Sequence, residues 1–267
     1  MFTYVTTTTV PAFPELMEQY NADLAMINWT VAIPALGLAV GPLIWSSPAD
    51  IIGRRPIFIF GTIIALVATI GAAKADTYSS YMAARFFQGL GVSPAATVGL
   101  AIINDIFFEH ERGQKIGLWV LAIDLGLLFG PLIGGFIDLV SSPWIQWLTA
   151  IFLGAILVAE IVFLPETLYP RDFMRLNKAA ASLSEKGTPT QPIPKRTTEL
   201  GYVYVKPVPG LKHPKAWDTL VRFGKMWKFA VVPLAVFTYC FGWYWWVLSV
   251  ITMIPVAYET YSPQTQG

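Results

Sequence analysis

A chain of 267 residues with 55% hydrophobic and 13% charged side chains, and a mean hydropathy of +0.55, falls far below the roughly 25% charge of soluble domains and reads as a membrane protein. A net charge of +1 gives no sign of the clustered basic face that a nucleic-acid backbone demands, so no nucleic-acid partner is expected. Cys240 stands alone and His110 and His213 lie in separate polar segments, which leaves no disulfide, no metal site and no cofactor to expect.

A helix crosses about 30 Å of hydrocarbon with roughly 20 apolar residues. The opening stretch, MFTYVTTTTVPAF, is apolar but about half that length, and it reads as the tail of a helix whose beginning is absent. Full spans are expected at Met26–Ser47, Pro56–Ala75, Ser79–Phe107, Gln114–Leu139, Trp144–Leu164 and Phe229–Pro255. All but Lys74 and Arg85 of the 18 Lys and Arg residues then fall in connections on one side, which the positive-inside rule makes cytoplasmic. Trp29, Trp144 and Trp147 at outer edges, with Trp45 and Trp227 at inner ones, fit an aromatic belt.

Between the first two full spans, SSPADIIGRRPIF carries Asp50, Gly53, Arg54 and Arg55. The next span holds Arg85 with Gln88 one turn later on the same face. Ionisable groups in hydrocarbon cost about 2.5 kcal/mol or more, so Arg85 needs either local carbonyls and polar neighbours or a role in a proton or substrate path. Asp124 lies mid-span in WVLAIDLGLL and is either a proton carrier or cation contact, or a neutral carboxyl bonded to a neighbouring helix. Gly126, Gly130 and Gly134 follow at four-residue spacing, a smooth stripe for a tightly packed partner, with Pro131 and Gly135 beside them inviting a kink. Glu160, near the inner end of its span, is expected to snorkel.

Residues 166–228, rich in proline and positive charge, read as a cytoplasmic loop with two basic amphipathic stretches suited to a lipid surface. In the last span YCFGWYWW places Tyr239, Trp243 and Trp246 at mid-depth, either as packing or as cavity-lining aromatics.

Three of these segments resemble motifs of the major facilitator superfamily of secondary transporters. S-x-P-A-D-x-x-G-R-R at Ser46–Arg55 is similar to its G-x-L-A-D-x-x-G-R-[KR] between spans two and three, departing at Ser46 and Pro48. R-x-x-Q-G-x-G at Arg85–Gly91 resembles its fourth-span motif, and G-x-x-x-G-P-x-x-G-G at Gly126–Gly135 its fifth-span antiporter motif. NDIFFEHERGQKIGLW and FLPETLYPR resemble fungal twelve-span drug:proton antiporters.

The resemblance implies an all-α membrane fold: an N-terminal six-helix half over 1–165 with a truncated first span, the central loop at 166–228, and the seventh span with the start of the following loop over 229–267. It implies a conformational latch built on Asp50, Gly53, Arg54 and Arg55, with Arg54 paired to Asp105. It further implies proton-coupled export of small organic molecules, in which Arg85, Gln88 and Asp124 bind protons or substrate and the glycine stripe is a packing hinge. The expected location is a lipid bilayer, the plasma membrane or else the vacuolar one. A missing C-terminal half, or a partner chain, would have to complete the path. The competing expectations are a non-transporting membrane interaction protein and an uptake transporter of the same superfamily. No enzyme is expected, since the chain has no nucleophile elbow and no phosphate-binding loop.

Overall fold

The computed structural model describes residues 2–167, 218–242 and 245. They form the helices α1 Phe2–Thr7, α2 Phe13–Tyr20, α3 Leu24–Ile51, α4 Arg54–Ala73, α5 Tyr78–Ile106, α6 Glu109–Asp138, α7 Ser142–Phe163, α8 Asp218–Met226 and α9 Val231–Cys240. Five of them, α3 to α7, are long and apolar enough to cross a membrane. The protein is therefore all-α and integral to the membrane.

Local chemistry sets the helix ends. Thr77 caps α5 by accepting a hydrogen bond from the Ser80 amide at 3.3 Å. Glu109 and Glu111 lie in the first turn of α6, where negative charge suits the helix dipole, so the predicted connection Glu109–Lys115 is helical from its start. Asn21, with φ 46° and ψ 43°, terminates α2.

The opening stretch is not one helix: α1 stops at Thr7 and α2 starts again at Phe13 with a proline in its first turn. The predicted last span is helical over Val231–Cys240; Trp243, Tyr244 and everything from Trp246 on lie outside the described residues, as does 168–217 of the central loop. Trp45 departs from the belt. It is buried, and its indole N–H donates to the Leu90 carbonyl at 3.0 Å.

Among the described helices, α5 is the hub, packed along α3 on one side and α4 on the other; α7 packs on α4, and α1 lies along α6. Apolar attraction does not separate helix from lipid, so backbone approach at small residues has to hold these contacts. Gly37 and Gly41 of α3 sit against Phe86, Leu90 and Ser93 of α5, and Gly61 of α4 sits against Gly91 and Pro94.

Internal prolines add a second device. Each lacks the N–H that would bond the carbonyl four residues earlier. Pro34 leaves the Thr30 carbonyl to Arg85, and Pro94 leaves the Leu90 carbonyl to Trp45 and Ser93.

Candidate functional site

The arginine-rich end of the bundle gathers four segments. Arg54, 7% exposed at the start of α4, pairs with Asp105 near the end of α5 and stands 3.9 Å from Asp50 in the last turn of α3. Asp50 keeps about half of its side chain exposed at 47%. The fourth segment follows α7: the Glu166 carboxylate accepts the backbone N–H groups of Arg54 at 3.0 Å and Arg55 at 3.2 Å. An acid on unpaired N–H groups at a helix N-terminus is favoured both by hydrogen bonding and by the dipole. Glu166 thereby ties the exit of α7 to the entrance of α4.

Gly53 makes the room for it. Its φ of 126° and ψ of 161° lie where only glycine is comfortable, and a Cβ there would come within 2.5 Å of the Glu166 carboxylate. We expect Gly53→Ala to lower thermal stability by about 1–3 kcal/mol, the usual range for a side chain forced into that region. Glu166→Gln, which keeps the shape but not the charge, should lose only about 0.5–1 kcal/mol. Thermal unfolding in lipid or detergent reads both; equal losses would mean that the backbone conformation of Gly53 is not what matters.

Arg55 reaches α7, its Nη2 donating to the Ile161 carbonyl at 2.6 Å. That carbonyl lies four residues before Pro165. Glu160 does not snorkel: it is half-buried and accepts the Thr62 hydroxyl at 3.1 Å, joining α7 to α4.

Toward the opposite, Lys74 end, Arg85 is fully buried. Its Nε and Nη2 donate to the Thr30 carbonyl at 3.2 and 3.1 Å, Nη1 to the Val5 carbonyl at 3.0 Å and to Gln88 Oε1 at 2.7 Å, and Nη2 also to Thr9 Oγ1 at 3.0 Å. Val5 belongs to the last turn of α1, where carbonyls lose their helical partners, just as Pro34 releases Thr30. Two breaks in helices thus supply the acceptors for one guanidinium. No carboxylate pairs with Arg85 among the described residues. Gln88 extends the network, its Nε2 donating to Thr69 at 2.7 Å and Gln146 at 3.4 Å, and Gln146 Nε2 donates to the Tyr81 hydroxyl at 3.3 Å. The network links α1, α3, α4, α5 and α7. At its rim Tyr20 donates to the Ala75 carbonyl at 2.9 Å, its phenol pushed up to about 12 by burial first, with Tyr81 and Asp76 adding.

The α1–α6 seam is the third site. A Cβ at Gly126, Gly130 or Gly134 would run into Thr3 Oγ1, Thr7 Oγ1 or the Thr8 carbonyl, whereas Gly135 has only ordinary contact with Pro11 at 3.8 Å. Thr3 donates to the Ile123 carbonyl at 2.8 Å, at the neighbour of Asp124. Asp124 is half-buried at this seam's edge, with no hydrogen bond or ion pair to it among the described residues. Tyr239 is 65% exposed.

The structure therefore brings Arg85 together with Gln88, and Asp50, Arg54 and Asp105 together with one another, while Asp124 stands apart from both groups. Sequence reading passed over Glu166 and Gln146. A proline four residues after a carbonyl, and a glycine preceding a helix start, are the signals that could have pointed to their surroundings.

The sequence model described as Major Facilitator Superfamily matches residues 1–266. The chain is 37% identical over 64% of its length to the "MFS-type efflux pump MFS2" of Trichophyton rubrum, and 31% identical over 65% to the "MFS antiporter QDR3" of Candida albicans. These alignments cover 28% and 25% of those relatives, and 36% of a transporter of Schizosaccharomyces pombe, so the chain spans well under half the length of these curated relatives. The crystal structure of the human organic anion transporter MFSD10 superposes with a TM-score of 0.52 at 20% identity, over 62% of this chain and 45% of that one, a likeness of fold.

Proposed function

The chain belongs to the Major Facilitator Superfamily, and we propose that it works in a proton-coupled exporter of small organic molecules. The observation that carries this reading is Asp124, a mid-span carboxylate left without a partner among the described residues, at the edge of a glycine–threonine seam. A carboxyl in hydrocarbon exchanges a proton between its neutral and charged forms, and a cavity or a cationic substrate is what compensates the charged form. Two of the relatives, an efflux pump and an antiporter by name, favour outward movement and exchange.

In this reading the Arg54 end is cytoplasmic, following the Lys and Arg distribution, and the membrane is the plasma membrane. Residues 1–165 form one half of the transporter and 166–228 the connecting loop; the helix from 229 opens a second half. Substrate crosses between the halves as they rock, so a second set of helices must face this one. Asp50, half-exposed beside Arg54, is the group positioned to meet that second half when the cytoplasmic side closes, with Gly53, Arg55 and Asp105 holding it in place. Gly126, Gly130, Pro131 and Gly134 let α6 shift along α1. Gly135 continues that packing hinge, and Tyr239, 65% exposed, is a candidate to face substrate.

Asp124→Asn in the protein expressed from its full reading frame tests this. Substrate efflux from vesicles should lose its dependence on an imposed pH gradient, while residual exchange down the substrate gradient persists. Proton-driven export unchanged in the variant would end the assignment of Asp124, and a lack of any pH-driven export in the parent would end the antiport reading itself.

A further inference from the structure

Beside the Arg85 network lies a cavity of ≈ 20 Å³ at the Lys74 end, between α2, the end of α4 and the start of α7. Its floor is polar and buried: Thr9 is 2% exposed, Tyr81 and Gln146 3% each. Gln19 and Pro143 at its rim are exposed, so it runs from the protein surface inward.

The floor has unspent hydrogen-bonding capacity. Thr9 Oγ1 accepts from Arg85, and the Tyr81 hydroxyl accepts from Gln146, which uses one lone pair of each oxygen. Neither hydroxyl donates to an acceptor among the described residues. Each therefore has a hydrogen to give, inside a bundle where an unmade bond costs about 1–3 kcal/mol. Gln146 holds Gln88 only at 3.4 Å, leaving a second lone pair on its carbonyl oxygen. A buried water needs roughly 10–15 Å³ of such space and two to four polar partners, and this cavity offers both.

We propose that the cavity is a water-binding site in which one ordered water accepts from the Thr9 or Tyr81 hydroxyl and donates to Gln146, hydrating the Arg85 network from the side of α2, α4 and α7. The consequence is an aqueous approach to the buried guanidinium that does not run along the α1–α6 seam where Asp124 sits. A cation bonded only to neutral acceptors gains from such a dipole, because water reorients toward it where fixed carbonyls cannot. The proposal does not depend on the direction of transport or on the substrate.

Radiolytic hydroxyl labelling tests it, since radicals generated from bound water modify the side chains that touch that water. Tyr81 and Tyr4 form a matched pair, both buried, at 3% and 5% exposure, and only Tyr81 lines the cavity. In the full-length protein in lipid nanodiscs, Tyr81 should be labelled several-fold faster than Tyr4. Ala73→Leu, at the cavity rim and outside the hydrogen-bond network, should plug the site and bring Tyr81 down to the Tyr4 rate in protein that still elutes as a folded species. Equal labelling of the two tyrosines in the unmodified protein, which requires no variant, overturns the proposal. So does undiminished Tyr81 labelling in folded Ala73→Leu.

Discussion

Arg85→Lys is expected to be less stable than Arg85→Met, although lysine is the more similar residue. The guanidinium spreads five N–H donors over four groups, on α1, the turn after it, α3 and α5. An ammonium has three donors on a single atom and cannot reach all four. Lysine therefore keeps a buried charge while losing at least two of the five bonds, each worth about 0.6 kcal/mol between membrane helices. Methionine leaves more acceptors unpaired but removes the charge, whose transfer into the bilayer costs about 2.5–3.5 kcal/mol. The second effect offsets the first. At about 0.6 kcal/mol for each bond, we expect a loss of about 1 kcal/mol for lysine and close to none for methionine, whose lost bonds the relief of the charge cancels. Thermal unfolding of the two variants under one lipid condition gives the order. Lysine matching the parent would show that charge, not the shape of the donor fork, is what the site needs. Export should fall at least tenfold in both, because the network fixes five helices relative to one another.

How much of this was legible beforehand divides along physical lines. Span existence follows from apolar length alone, and Arg85 and Gln88 announce a polar network because their types are improbable in hydrocarbon. The Arg54–Asp105 contact required a resemblance, since nothing local in the sequence sets residues 51 apart side by side. Partners of the opposite kind were invisible for a different reason. Arg85 binds backbone carbonyls, which every residue possesses; a proline four positions downstream marks the Thr30 carbonyl as available, and the early end of α1 frees that of Val5. Glu160 was misread because amphipathic reach toward the interface competes with a hydroxyl on the next helix, and Thr62 won at 3.1 Å. Trp45 was misread in the same way: belt statistics describe tryptophans facing lipid, and this one faces a carbonyl released by Pro94. Asp124, by contrast, was identified by residue type and remains defined by its depth, because no hydrogen bond or ion pair reaches it among the described residues.

Gly89→Ala is expected to destabilise the bundle by about 3 kcal/mol, at the upper end for overpacking. A Cβ there would collide with the Pro34 carbonyl oxygen, and the carbon atoms of that same peptide unit lie only 2.8 Å away. Backbone cannot rotate aside as a side chain can, so α3 must move away from α5. The same displacement reaches the charged site. Gly89 is one turn beyond Arg85, and Pro34 one turn beyond Thr30, so the Gly89–Pro34 contact sets the register in which Thr30 accepts two guanidinium bonds. The two substitutions should therefore be non-additive: in an Arg85→Met background Gly89→Ala should cost less than in the parent, by an amount read from a double-mutant cycle. Gly113→Ala supplies the control, since no atom lies within 4 Å of its Cβ and alanine should gain up to about 1 kcal/mol of helix propensity there. Additive losses at Gly89 and Arg85 would separate packing from the polar network. A coupling of about 1 kcal/mol would instead mean that the glycine is required because it holds the arginine's acceptors in place, which joins the two halves of the R-x-x-Q-G-x-G segment in one physical role.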